Sequence, residues 1–100
     1  MINSHTSSDG SNLTISIDGR FDFGSHKDFR SAYESAPVEL ERYTVDMRDT
    51  SYLDSSALGM LLLLRDHAGG DKAEISIINC NADVRKILTI SNFGQLFNIR

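Results

Sequence analysis

One short stretch of this chain gathers residues able to do chemistry: Tyr52-Leu53-Asp54-Ser55-Ser56-Ala57-Leu58-Gly59. An aspartate and two serines stand where a polar loop gives way to a strongly apolar run, Met60 to Leu64. Serine has an ordinary use there. Its hydroxyl can accept from the orphan N–H groups of a helix's first turn, worth about 1 kcal/mol. A second use arises from the same groups, which together with the helix dipole favour an anion, so a phosphoserine fits there without disrupting the fold. A phosphate would add roughly −1.5 to −2 charges beside Asp54. A surface that docks a partner while the serine is neutral would then present a dense negative cluster, and binding would switch off.

Other chemistries find less support. A serine hydrolase needs a base and an exposed elbow; the Gly-x-Ser-x-Gly pattern is absent. His5, His26 and His67 stand in no recognisable relation to Ser55. His67, in the last turn of a helix, suits the dipole or plain solvent exposure; His26 is expected to face solvent and His5 to lie in a flexible end. One cysteine, Cys80, rules out an internal disulfide, implies a reducing compartment, and with scattered histidines offers no metal-ligand spacing. Cys80 itself reads as a small buried or half-buried side chain. Asp46, Asp49 and Asp54 read as solvated or turn residues rather than a cation site. Gly69-Gly70 is a helix stop, since nucleotide-loop spacings are missing. No cofactor is expected.

The composition sets the frame. A chain of 100 residues is expected to form a single domain, 1–100, with 1–12 a polar, flexible N-terminal segment. Fourteen Asp+Glu against ten Lys+Arg leave a net charge of −4, which does not favour nucleic acid. The longest apolar run, Met60 to Leu64, is five residues, far short of the ~20 that span a bilayer. No signal-peptide core precedes it. The expectation is a small acidic cytoplasmic domain away from membranes, monomeric by default.

The elements that must position the serines can be read from periodicity. Leu13, Ile15 and Ile17 alternate with polar residues as a half-buried strand closed by Gly19, and Phe21 and Phe23 continue the alternation. Ser25 is placed as an N-cap with Asp28 in the first turn; Phe29, Ala32, Tyr33 and Ala36 share one helical face, and Pro37 stops the helix. Tyr43, Val45 and Met47 form a second strand, and Arg48 to Asp54 a loop. A helix is expected from about Ser56 to Ala68, stopped by Gly69-Gly70. Ile75, Ile77 and Ile78 make a third strand; Asn81 or Asp83 caps a helix carrying Val84, Ile87, Leu88 and Ser91. Asn92-Phe93-Gly94 breaks it, and Leu96, Phe97 and Ile99 suggest a short edge strand. Such alternation predicts an α/β domain with helices packed on a small mixed, mostly parallel sheet.

In the Ser56 helix, Ala57, Leu61, Leu64 and Ala68 centre the apolar arc, with Gly59 and Asp66 opposite. Leu62 and Leu63 flank the polar strip. A broad arc buries both; a docking surface beside Ser55 leaves at least one exposed.

The motif Asp54-Ser55-Ser56-Ala57-Leu58-Gly59, after a Val45-Asp46-Met47 strand and before a Leu-rich helix, resembles the signature of STAS domains, specifically the bacterial anti-sigma factor antagonists. Gly19-Arg20-Phe21-Asp22 is similar to that family's Gly-x-Phe/Leu-Asp, and Val84 to Phe97 resembles its closing helix and strand. The likeness is nearest to stand-alone proteobacterial members of partner switches that control motility and biofilm formation. The resemblance implies a STAS (anti-sigma factor antagonist-like) fold and a phosphoacceptor directly after the aspartate, Ser55, with Ser56 the alternative. It implies a partner-binding face of Asp54, Ser56, Ala57, Leu58, Gly59, Leu62 and Leu63. The implied partners are an anti-sigma factor or serine kinase of the histidine-kinase-like ATPase fold, a metal-dependent serine phosphatase, and a second client of the phosphorylated form. ATP and metal belong to those partners, and the chain itself is no enzyme. Ala57 departs from the glycine antagonists often carry, and its added methyl is expected to alter partner selectivity. The competing reading is an unswitched accessory subunit of a transport ATPase, which tends to lack the paired serines.

Overall fold

A computed structural model describes residues 1–36 and 40–100. The alternation of Leu13, Ile15 and Ile17 produces the strand β2 (Asn12–Ile17), whose odd-numbered side chains are buried and even-numbered ones half-buried. The same parity runs through β4 (Arg42–Asp46) and β6 (Ile75–Ile78). These pair in parallel, and β1 (Ile2–Thr6) adds to β2 antiparallel; β7 (Asn98–Ile99) closes the other edge, giving the order β1-β2-β4-β6-β7. A separate two-stranded parallel sheet joins β3 (Gly19–Phe21) to β5 (Thr50–Leu53).

Helices α1 (His26–Glu34), α2 (Ser55–His67) and α3 (Ala82–Ile90) bury their apolar stripes with the inward strand residues in one core. Phe21, Phe29 and Tyr33 run through it, the first pair tilted and the second edge-to-face, with centroids 5.0 and 5.8 Å apart. The expected α/β architecture is present, with β1 the antiparallel member of an otherwise parallel sheet.

Several local expectations are corrected. Residues 2–6, read as a flexible end, form β1; their backbone pairs with β2 although only Ile2 and Thr6 are half-buried. The loop expected over Arg48 to Asp54 contains β5, where the buried Thr50 and Leu53 stand three apart. Its pairing with β3 shifts register between Gly19 and Arg20, so no alternation shows. Phe23 leaves the strand pattern for a 3-10 turn (Phe23–Ser25) and is 74% exposed. Ser25 precedes α1, but its hydroxyl donates to the Arg20 carbonyl at 3.1 Å instead of capping. Leu96 and Phe97 come after another 3-10 turn (Phe93–Gln95), so the edge strand begins only at Asn98. The reading of Pro37 as a helix stop lies outside the described residues.

Two stops act through positive φ. Gly19, at +87°, turns the chain from β2 into β3 and donates its N–H to the Asp49 carbonyl at 2.9 Å. Gly69, at +118°, ends α2 where the sequence places the stop.

Candidate functional site

Asp54 is the last extended residue before α2, at φ −118° and ψ −175°, and its carboxylate accepts from the Ala57 N–H at 3.1 Å. The cap is therefore the aspartate. Ser55, which with Ser56 was the expected cap, becomes the first helical residue; it is exposed, and its hydroxyl makes no hydrogen bond among the described residues. Ser56, next along, is half-buried. The N–H groups of Ser55 and Ser56 precede the first intrahelical donors, the Ala57 and Leu58 N–H groups that reach the Asp54 carbonyl, and lie at the positive end of the dipole. An unengaged hydroxyl beside unengaged donors is chemically open to phosphorylation.

The strand leading to this corner is held from two sides. The buried Thr50 hydroxyl donates to the Ile17 carbonyl at 2.8 Å. The Asn81 amide donates to the Thr50 carbonyl at 3.0 Å, while its oxygen accepts from Val84 N–H at 2.8 Å and caps α3. Of the two caps expected for α3, Asn81 is the one used. These bonds join β2, β5 and α3 at the base of the segment that presents Ser55.

Along α2 the predicted site residues divide. Ala57 is fully buried, so its methyl fills the core rather than the surface. Leu58 is half-buried and Gly59 exposed. Leu62 and Leu63 are 42% and 50% exposed, so the helix has an outward apolar strip beyond Ser55. Met60 joins Leu61 and Leu64 inside, which the simple arc did not include. A Cβ built on Gly59 would meet nothing within 4 Å. Among the described residues no neighbour demands that glycine, although it costs about 1 kcal/mol relative to alanine.

Three exposed neighbours escape local pattern. Arg20 and Tyr52 face each other across the β3–β5 pair, with the guanidinium carbon 4.1 Å from the ring centroid. Arg20 Nε also donates to Asp22 at 3.2 Å, and Asp22 accepts from Gly24 N–H at the head of the first 3-10 turn. Phe23 stands on that turn, which packs against α2, with half-buried His26 edge-on to its ring at 6.3 Å. The only signal in the sequence was Phe23 and Tyr52 being large and aromatic beside polar punctuation; their adjacency comes from the irregular β3–β5 register.

The groups set aside for other chemistry stay apart. His67 lies tilted against Tyr33 with centroids 4.8 Å apart, and Asp46 accepts from Arg48 N–H and the Asn79 amide. Burial pushes the half-buried Cys80 thiol above its usual range. Among the described residues no group of His, Cys, Asp or Glu could hold a metal ion, and no helix is long and apolar enough to cross a membrane.

Residues 4–98 match the family model described as "Mlab, STAS domain". The chain belongs to the STAS family. It is 67% identical over 93 residues to a STAS-domain containing protein of Pseudomonas aeruginosa, covering 93% of this chain and 92% of that one. Among solved structures, the anti-sigma factor antagonist SpoIIAA in its unphosphorylated form aligns with TM-score 0.81 at 16% identity, covering 100% of this chain and 88% of that one. A putative anti-sigma factor antagonist of Thermotoga maritima aligns with TM-score 0.83 at 13% identity, over 99% and 85% of the two chains. At those identities the likeness is one of fold.

Proposed function

We propose that this STAS domain is an anti-sigma factor antagonist-like module of a partner switch, and that phosphorylation of Ser55 is the switch. The observation that carries the reading is the division of labour at the start of α2. Asp54 does the capping, which leaves the Ser55 hydroxyl exposed and without a role in the fold. The unphosphorylated domain docks a partner on the corner formed by Ser55, Ser56, Leu58, Gly59, Leu62 and Leu63. Exposed leucines supply apolar contact, and the unneeded glycine lets the partner's backbone come close. A phosphate on Ser55 sets up to two further charges beside Asp54, so a partner that tolerates one carboxylate meets a cluster. A relative of the same fold fits this scheme: SpoIIAA has been solved in unphosphorylated and phosphorylated forms.

The partners in this reading are an anti-sigma factor or serine kinase of the histidine-kinase-like ATPase fold and a metal-dependent serine phosphatase. A second client of the phosphorylated form completes the switch, and the output is transcription, motility or biofilm formation in the cytoplasm. The domain is the kinase's substrate, with no cofactor of its own.

The test is intact-mass and peptide mass spectrometry of the protein from its native host, wild type beside Ser55→Ala. One phosphate per chain, mapped to Ser55 and absent from the variant, is the expected result. A phosphate on Ser56 would move the acceptor by one residue. No phosphate in any growth condition, with partner capture indifferent to Ser55→Asp, would overturn the switch in favour of an unswitched accessory subunit of a transport ATPase.

A further inference from the structure

All three helices contribute to the core on one side of the five-stranded sheet. The even-numbered residues of β2, β4 and β6 face the other side, where none of the described helices covers them. The register sets Thr14, Thr44, Ser76 and Asn98 in one row across four strands. Asn12 and Arg42 are paired one step before that row, and Arg100 lies just past β7, anchored by its N–H to the Ile77 carbonyl at 2.8 Å. The turn between β1 and β2 rises beside this face, so the sheet becomes the floor of a cavity of about 530 Å³. That volume lies within the range of small-ligand sites.

The rim is already organised. Asp9 accepts from the Ser7 hydroxyl at 2.7 Å, the Ser11 hydroxyl at 2.8 Å and the Ser11 N–H at 3.0 Å. The floor is not engaged in the same way. Ser76 and Asn98 side chains make no hydrogen bond among the described residues, and Thr44 has only a long one, 3.4 Å, to Asn12. Arg42 and Arg100 form no ion pair among the described residues. The cavity is thus lined by two arginines with no ion pair among the described residues, Arg42 and Arg100, and by two carboxylates, Asp9 and Glu74, beside a row of hydroxyls and an amide. Glu74 is adjacent in register to Arg42 and Asp9 is held by Ser7 and Ser11, so Arg100 is the guanidinium whose neighbour in register is not a carboxylate.

We propose that this cavity binds a small phosphorylated sugar, its hydroxyls on Thr44, Ser76 and Asn98 and its phosphate on Arg100. Each hydroxyl of the row, and the Asn98 amide, can both donate and accept, as the hydroxyls of a polyol do, and guanidinium is the side chain best matched to a phosphate. An apolar or uncharged ligand would leave the floor or the arginines unmatched. This site lies across the sheet from the helices, so its occupancy is independent of whether Ser55 is a phosphoacceptor.

The experiment titrates the full chain with ribose 5-phosphate and tracks backbone amide shifts by nuclear magnetic resonance, with ribose and inorganic phosphate as separate arms. Saturable shifts at Thr44, Ser76 and Asn98 are expected with ribose 5-phosphate alone. Arg100→Gln should weaken binding about tenfold, the scale of one charge-assisted hydrogen bond, and Arg42→Gln less. Ser76→Ala, a small change on the open face, should also weaken it in a folded chain. The proposal is overturned by the absence of saturable shifts up to about 10 mM, a weak limit for small ligands. Equal shifts with inorganic phosphate, or indifference to both arginine substitutions, would overturn it as well.

Discussion

Helices α2 and α3 begin with the same device and use it differently. Asp54 and Asn81 each hold an extended backbone and each accept from the N–H three residues on, at 3.1 and 2.8 Å. Asn81 has an amide left over, and that amide donates to Thr50, tying α3 to the strand before α2. Asp54 has no donor to give. The next residue, Ser55, instead carries an exposed hydroxyl that the fold does not use. One helix start is thus embedded in the structure and the other is left available, which is how a modification site and a stable fold can coexist a few residues apart.

The contrast can be broken in order of expected size. Asn81→Ala removes a cap and leaves a part-buried carbonyl without its donor, so urea unfolding should show a loss of about 2–3 kcal/mol. A loss no larger than that of Asp54→Ala would mean the Thr50 bond contributes nothing. Asp54→Ala should cost about 1 kcal/mol, and Asp54→Asn should recover most of it, because the amide oxygen still accepts from Ala57. Gly59→Ala acts in the opposite direction: the fold gains up to about 1 kcal/mol while partner capture weakens. Stabilisation with undiminished capture would remove the argument that the glycine serves close approach. Ser55→Ala should move stability by less than about 0.5 kcal/mol, as expected of a surface residue without a structural bond. A larger loss would show that the hydroxyl does cap α2.

The smallest effect concerns a third place where a carboxylate organises backbone, the turn after β1. Hydrogen bonds from Ser7 and Ser11 hold Asp9 at a pKa of about 2, below its ordinary 3.8. A depressed carboxylate favours the folded turn above the ordinary value and loses that contribution as pH falls through the folded one. The Ser11 amide should therefore titrate with a midpoint near 2, and a midpoint near 3.8 would mean the turn is not held by Asp9.

Much of the frame was legible because apolar period is a local property. Leu13, Ile15 and Ile17, then Tyr43, Val45 and Met47, announce strands, and Asn81 announces a helix start, without reference to anything distant. β1 escaped because Asn3, Ser4 and His5 are exposed at a sheet edge, so burial left no pattern on them. β5 escaped because its inward residues obey an irregular register with β3 that no single strand records. At the site, three consecutive residues, Asp54, Ser55 and Ser56, are all able to cap. Which one does depends on where β5 ends, and Thr50 and Asn81 set that end from β2 and α3.

By itself, then, the sequence determined the central strands β2, β4 and β6 and the three helices in their order, the motif Asp54 to Gly59, and the absence of a disulfide or a long apolar span. The tertiary structure decided that Asp54 caps and Ser55 is left exposed, that Leu62 and Leu63 face outward, and that Arg20 meets Tyr52. It also gathered Thr44, Ser76, Asn98 and Arg100 across one sheet face. Local pattern encodes which side chains seek burial along one element, whereas these outcomes depend on register between segments far apart in the chain.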